Sequence, residues 1–280
     1  MLYLVGTPIG NLKDITERAV EVLESADVIA CEDTRVTGLL LQSLSITGKR
    51  LISYHEHNKA ASGDGIIKLL EEGLTVAQVS DAGMPAISDP GADLAGLALE
   101  KGIQVSVIPG PSAVTAALAL SGLDTRYFHF EGFLPSEGGA RRDRIRKLQA
   151  IHETIVLYEA PHRIRKLLDE LSEAGFGSCR TAICRELTKR YEETLHLTVD
   201  EACEYYKKTE PKGEFCICLE PLPVQESGAC GTVEASTMIE LLCSKGMSTK
   251  DVASVVSELT GMNKKEAYNA AMKLKDCFEK

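Results

Sequence analysis

The turn CRELTKRYEE brings Arg185, Glu186, Thr188, Lys189 and Arg190 within a few residues of one another, and YEAPHR does the same for Tyr158, Glu159, His162 and Arg163. A carboxylate can accept a proton and an ammonium can steady a developing oxyanion, so both turns carry the side chains of acid–base chemistry. A third set, Glu32, Asp33 and Arg35 of CEDTR, stands where an apolar run gives way to a helical pattern, at a point where charged groups can reach a ligand. Each set has a simpler competing use, an ion pair that fixes a helix start or an interface. His55 and His57 lie two apart and share a face of an extended segment. With no third ligand at suitable spacing, substrate contact or solvent exposure is expected of them rather than zinc, and no metal is expected anywhere in the chain.

A second kind of stretch has almost no reactive groups. VAQVSDAGMPAISDPG runs from an apolar strand into a turn of small residues and prolines. Gly83 and Gly91 permit unusual backbone angles, Pro85 and Pro90 stiffen the path, and Ser80, Asp81, Ser88 and Asp89 add short hydrogen-bonding side chains. The pattern recurs in IQVSVIPGPSAVTAALALSG, and LYLVGTPIGN opens the chain with a similar turn. If the strands are parallel, all these turns fall at their carboxyl ends, where α/β proteins bind ligands. Neither GxGxxG nor GxxxxGK[ST] is present, so the walls suit a ligand held by shape and backbone hydrogen bonds rather than by a phosphate grip.

The elements that must position these turns follow from hydrophobic periodicity. Five short strands alternate with helices to about Leu120, which predicts an α/β domain over 1–120 with a parallel sheet. The first helix is expected to be capped by Asp14. After a hinge at SGLDTR, longer strands with more antiparallel character predict a second α/β domain over 121–222. LPVQESGACG reads as a linker, and three helical segments over 230–280 form a helix-turn-helix-like extension. Its signals are Ser248 with Asp251 as a cap, Gly261 as a stop, and Asn263 as a second cap.

Composition narrows the class. The chain has 280 residues, 44% of them hydrophobic, a net charge of −10 and 9 cysteines without a CxxC pair. Reduced, buried thiols are expected, with no membrane span and no signal peptide, hence a cytoplasmic protein. The acidic balance argues against bulk attraction to nucleic acid. One concentrated basic segment opposes it: in EGGARRDRIRKLQAI, Ile145, Leu148 and Ile151 recur at helical spacing, leaving Arg142 and Arg146 outward with Arg141, Arg144 and Lys147 nearby. Such a patch can contact phosphates. Lys264, Lys265, Asn269 and Lys273 of the tail are a further candidate nucleic-acid contact.

GTPIGNLKD, CEDTR, VSDAGMPAISDPG, IPGPSAVTAALALSGL, EGFLP, YEAPHR and CRELTKRYEE, in this order, closely resemble the ribosomal RNA small-subunit cytidine 2'-O-methyltransferases of the tetrapyrrole methylase superfamily. The resemblance spans about residues 1–220. It implies two α/β domains of the tetrapyrrole methylase type with a cofactor cleft between them, a small helical extension, S-adenosylmethionine as cofactor, a homodimer, and a cytidine ribose of 16S ribosomal RNA, free or in the 30S subunit, as substrate. Carried onto this chain, the cofactor positions are Pro8, Ala82, Gly83, Met84, Ile87, Ser112, Ala113, Tyr158 and Glu159. Met84 replaces the threonine usual in that motif, so a thioether stands where a hydroxyl would.

The resemblance also defines the chemistry, displacement at a sulfonium methyl by a ribose oxygen. The donor is already activated, and the protein must align the oxygen and exclude water. A 2'-hydroxyl is a weak nucleophile, so a base or an alkoxide-stabilising cation is expected, from Glu186 and Lys189 foremost, with Asp33 as a further catalytic candidate. Asp81 is a weaker one that could instead hold the cofactor loop. Arg35, Arg141, Arg142, Arg144, Arg146, His162 and Arg163 are the expected RNA contacts. A corrinoid C-methyltransferase of the same superfamily and a non-catalytic RNA-binding protein are the rival readings; the basic patch and the tail favour RNA.

Overall fold

Each short apolar run becomes a strand and each small-residue turn a junction at the end of one. The computed structural model describes residues 1–56, 58–87, 91–223 and 235–278, with backbone alone at 60, 61 and 275–278. His57, Ser88, Asp89 and Pro90, singled out above, lie outside the described residues, as does most of the linker LPVQESGACG. By compactness the chain forms one unit over Met1–Leu222 and another over Pro223–Lys280.

In the first unit, β1 (Leu2–Val5), β2 (Val28–Cys31), β3 (Arg50–Ser53), β4 (Val76–Val79) and β5 (Val105–Ile108) form a parallel sheet in the order β3-β2-β4-β1-β5. Helices α1 (Glu17–Ser25), α2 (Thr34–Ser43), α3 (Lys59–Glu71), α4 (Gly91–Glu100) and α5 (Ala113–Ser121) follow the strands in turn. Because β4, β1 and β5 are neighbours, the three glycine–proline turns leave the sheet side by side. β2 and β4 are buried throughout, as expected of parallel strands covered on both faces. The first helix begins later than an Asp14 cap predicts. Leu12–Asp14 form a single 3₁₀ turn, and the Thr16 hydroxyl accepts the Ala19 N–H at 3.2 Å.

A second sheet follows, with β6 (Phe128–Phe133), β7 (Thr154–Glu159), β8 (Arg180–Arg185), β9 (Glu193–Thr198) and β10 (Phe215–Leu219) in the order β6-β7-β10-β8-β9. β6 and β7 are parallel, and the other neighbours are antiparallel. β7 and β8 therefore end at one edge, where β10 begins. Glu159 and Arg185 both stand in register with Phe215 there. Helices α6 (Gly138–Leu148), α7 (Ile164–Leu171) and α8 (Val199–Lys208) complete this half.

The alanine-rich α5 joins the two halves. Its Val114, Ala117 and Leu118 pack into a core with Val156, Ala182, Cys184, Cys216 and Cys218 of the second sheet. Small side chains let the helix approach closely and bring its first turn, Ser112 and Ala113, to the edge where β7 and β8 end.

In the second unit, α9 (Ala235–Ser244), α10 (Thr249–Thr260) and α11 (Lys264–Phe278) bury Ile239, Val252, Val256 and Ala267 together. The turn signals act as read. Ser248 accepts from Asp251 N–H at 3.2 Å, Gly261 adopts a left-handed φ of 71°, and Asn263 accepts from Lys265 N–H at 2.9 Å. Among the described residues no helix is long and apolar enough to cross a membrane.

Candidate active site

The three turns at the carboxyl edge of the first sheet are stitched together through backbone. Thr7 N–H donates to Gly83 O at 2.9 Å and Gly83 N–H returns to Thr7 O at 3.1 Å. The buried Thr7 hydroxyl donates to Ser80 O at 3.2 Å. Gly6 and Gly110 approach so closely that a Cβ on Gly6 would lie 2.8 Å from Gly110 Cα and 2.7 Å from Met84 Sδ. The thioether has a partner, since Gly110 N–H donates to Met84 Sδ at 3.2 Å. A sulfur thus fixes this turn through a backbone amide.

Facing these turns, the edge of the second sheet closes a cavity of about 410 Å³. That volume suits a small ligand or cofactor. Of the positions assigned to cofactor binding, Ala82, Gly83, Met84, Ile87, Ser112, Ala113, Tyr158 and Glu159 line it. Pro8 does not, and its neighbour Ile9 does. The sequence reasoning missed Phe133, Cys184, Leu187, Glu214, Phe215 and Cys216. The pairing of Cys216 with Cys184 across β10 and β8 depends on strand register, which no local pattern reveals. Burial pushes both thiols up in pKa, and Cys218 to about 12, so they are packing groups and not thiolate nucleophiles.

Among the described lining residues the charged ones are Glu159 and Glu214, both acidic, and none is a cation. Such a cavity suits a sulfonium and not a polyphosphate. The residues present therefore fit S-adenosylmethionine: backbone and small side chains on one wall, apolar surface on the other, and room for one such molecule.

The RELTK turn lies beside this cavity under strain. Glu186 and Thr188 both have positive φ, 52° and 64°, which a β-branched threonine rarely adopts. Lys189 Nζ donates to Glu186 Oε1 at 3.1 Å and to Glu214 Oε2 at 2.8 Å. Burial works against the Lys189 charge, but the hydrogen bonds to Glu214 and Glu186 outweigh it and hold the pKa above that of an ordinary lysine. Burial likewise works against the Glu186 carboxylate, and Glu214 N–H and Lys189 outweigh it and lower the pKa. At neutral pH the pair is a fixed ammonium held by carboxylates. The turn is locked against the first sheet, since a Cβ on Gly10 would lie 2.4 Å from Lys189 Cγ.

The other sites are distributed less uniformly than the sequence suggested. Asp33 and Arg35 bond each other, with Arg35 Nη2 at 2.6 Å, and neither lines the cavity. This hydrogen bond holds the Asp33 carboxyl at about 2. Asp81 Oδ1 accepts from Asp33 N–H at 3.0 Å and ties this turn to the central one.

Arg141 requires a correction. It is 1% exposed, with Nε 2.6 Å from Glu170 Oε2 and Nη2 3.6 Å from Glu159 Oε2, so it cannot meet an RNA phosphate. Its spacing from Ile145 and Leu148 places it on the buried stripe of α6, a signal present in the sequence. Arg163 Nε lies 3.0 Å from Glu159 Oε1, and Arg144 bonds the buried Glu131 at 2.6 Å through Nε. Arg142, Arg146, Lys147 and His162 are exposed. No group of three or more His, Cys, Asp or Glu among the described residues could hold a metal ion.

Two α/β halves sharing a cavity at the strand ends define the tetrapyrrole methylase class. Residues 1–203 match the model of the Tetrapyrrole (Corrin/Porphyrin) Methylases, and residues 231–275 match that of the RsmI C-terminal HTH domain. The uroporphyrin III C-methyl transferase of Thermus thermophilus shares the fold at TM-score 0.57 and 20% identity, covering 78% of this chain and 96% of that one. A diphthine synthase does so at TM-score 0.62 and 15% identity, covering 78% and 89%. Ribosomal RNA small subunit methyltransferase I of Halalkalibacterium halodurans is 43% identical over 96% of this chain and 93% of its own length. The protein of that name from Bacillus subtilis is 39% identical over 96% and 93%. The chain belongs to this methyltransferase family.

Proposed function

We propose that the chain transfers a methyl group from S-adenosylmethionine to the 2'-oxygen of a cytidine ribose in 16S ribosomal RNA. The observation that carries the reading is the cavity itself: backbone and small residues from three turns of one sheet on one side, and the ion-paired Lys189 turn of the other sheet beside it. Bound there, the donor supplies an activated methyl carbon. Thr7, Gly83 and Gly110 fix the wall it lies against, and apolar Ile9, Leu187 and Phe215 exclude water that would compete with the ribose.

The pKa directions refine the roles at the second wall. Lys189 stays protonated at neutral pH, suited to steadying negative charge on the 2'-oxygen as the methyl is transferred and the hydroxyl proton passes to solvent, and Glu186 with Glu214 holds the ammonium in place. A carboxyl lowered in pKa is a poor proton acceptor, so Glu186 is a positioning group. With Arg141 buried and Arg144 and Arg163 ion-paired to Glu131 and Glu159, the exposed Arg142 and Arg146, with Lys147 beside them, are the phosphate contacts of α6, and exposed Arg35 and His162 stay in the set. On this reading the division near residue 120 separates a donor-binding half from an RNA-facing half. The protein acts in the cytoplasm as a homodimer, and a second copy would cover the exposed Val36 and Leu39 of α2 and Leu97 and Leu99 of α4.

Transfer of labelled methyl to 30S subunits, followed by mapping of the label to ribose or base, tests the reading. Label on a cytidine 2'-oxygen supports it. Label on a base, or only on a tetrapyrrole offered in parallel, overturns it.

A further inference from the structure

Phe133 ends β6 and lines the cavity, yet it is 56% exposed, and none of the roles above uses it. Its ring packs against Tyr158 with centroids 5.4 Å apart and planes inclined by 55°. Tyr158 is itself braced by Phe130 at 5.1 Å and 72°. Phe133 is therefore held on one side by a fixed aromatic stack while much of its surface is open.

Its place in the fold adds a second observation. β6 is an edge strand of its sheet, and only four residues separate Phe133 from α6, whose Arg142, Arg146 and Lys147 are exposed. A fixed aromatic surface followed by a cationic helix is the combination that holds single-stranded RNA: the ring stacks a base while the cations track phosphates. A ring that stacked the donor's adenine would sit within the walls, as Tyr158 does, and not at the rim.

We propose that Phe133 is the stacking platform for the base of the target nucleotide, holding it at the rim while its ribose reaches into the cavity. The inference rests on the methyltransferase reading and adds to it the group that selects an unstacked, single-stranded base.

The chain has no tryptophan, so Phe133→Trp introduces a sole tryptophan, excited selectively over the tyrosines, as a reporter at this position. Titration with a single-stranded oligocytidylate, at saturating S-adenosylhomocysteine, quenches its emission, whereas S-adenosylhomocysteine alone does not. In parallel, Phe133→Ala and Phe133→Leu lower kcat/KM for 30S subunits by about 5- to 100-fold, Phe133→Tyr preserves it, and donor Kd is unchanged in all three. Quenching by S-adenosylhomocysteine alone, a loss of donor affinity in Phe133→Ala, an unquenched reporter, or full activity of Phe133→Ala overturns the proposal. Failure of the wild-type protein to methylate 30S subunits, with the oligocytidylate quench intact, removes the methyltransferase reading and leaves the stacking surface standing.

Discussion

The turns of the first sheet and those of the second line one cavity by different means. Gly6 and Gly110 meet so closely that neither tolerates an added carbon, Thr7 and Gly83 pair through their backbones, and ionisable groups play little part in this wall. The opposite wall is apolar except for Glu159 and Glu214, and ion pairs behind and beside it hold those carboxylates: Glu159 between Arg141 and Arg163, and Lys189 between Glu186 and Glu214. A donor that arrives with its own leaving group needs a shaped, dry seat. A weakly nucleophilic hydroxyl needs electrostatic help. The contrast teaches that the chemical demand is met on the side where the acceptor is expected.

If the second wall depends on charge, Arg141→Ala gives the largest effect. It removes one of the two cations beside Glu159, whose side chain is 0% exposed and which keeps Arg163 Nε at 3.0 Å, together with the 2.6 Å partner of Glu170, and breaking a buried ion pair by removing one member costs about 3–5 kcal/mol. Urea denaturation should show that loss, and Arg141→Met combined with Glu159→Gln should recover part of it. A cost well under about 1 kcal/mol, the range of an exposed pair, would break the comparison.

Next comes Lys189→Ala, which is expected to lower single-turnover methylation of 30S subunits by about 10²- to 10³-fold with donor affinity unchanged. Were donor binding to fall equally, the division of labour between the walls would be wrong. Gly110→Ala probes the other side. Its new Cβ would lie 2.9 Å from Gly6 backbone atoms, and overpacking of about 1–3 kcal/mol should appear as weaker donor binding by calorimetry. Unchanged affinity would show that the backbone seat is not where the donor lies.

The smallest effect is on pH. The Lys189 pKa is raised in the folded protein, so its ion pair contributes fully below the ordinary lysine pKa, 10.5, and is lost as pH rises through the folded value. The Glu186 pKa is lowered from 4.5, so its contribution is present above that value and is lost as pH falls through the folded one. Neither group should give an inflection in kcat/KM between about pH 6 and pH 9. An inflection in that window removed by Glu186→Gln would make Glu186 the base.

Much of the first wall was legible because its determinants are local. Pro and Gly at strand ends specify turns by their own geometry, and DAGMP and PGPSA stand where those turns meet. The second wall was legible only in part. Lys189 and Glu186 share one turn, but Glu214 joins them through the antiparallel entry to β10, a pairing set by register across the sheet. Arg141 was misassigned because charge density outweighed periodicity in the reading of α6. Its place on the Ile145–Leu148 stripe, and the carboxylates of Glu159 and Glu170 waiting there, decide its burial. Asp14 failed as a cap for a related reason, since Thr16 lies two residues closer to the first apolar turn.

A crystal structure with S-adenosylhomocysteine bound tests the central claim most directly. The account predicts density in the cavity, against the backbone of Gly83 and Ala113, with Leu187 and Phe215 on the facing wall. Density at any other place on the molecule, with Gly83 and Ala113 untouched, would contradict it.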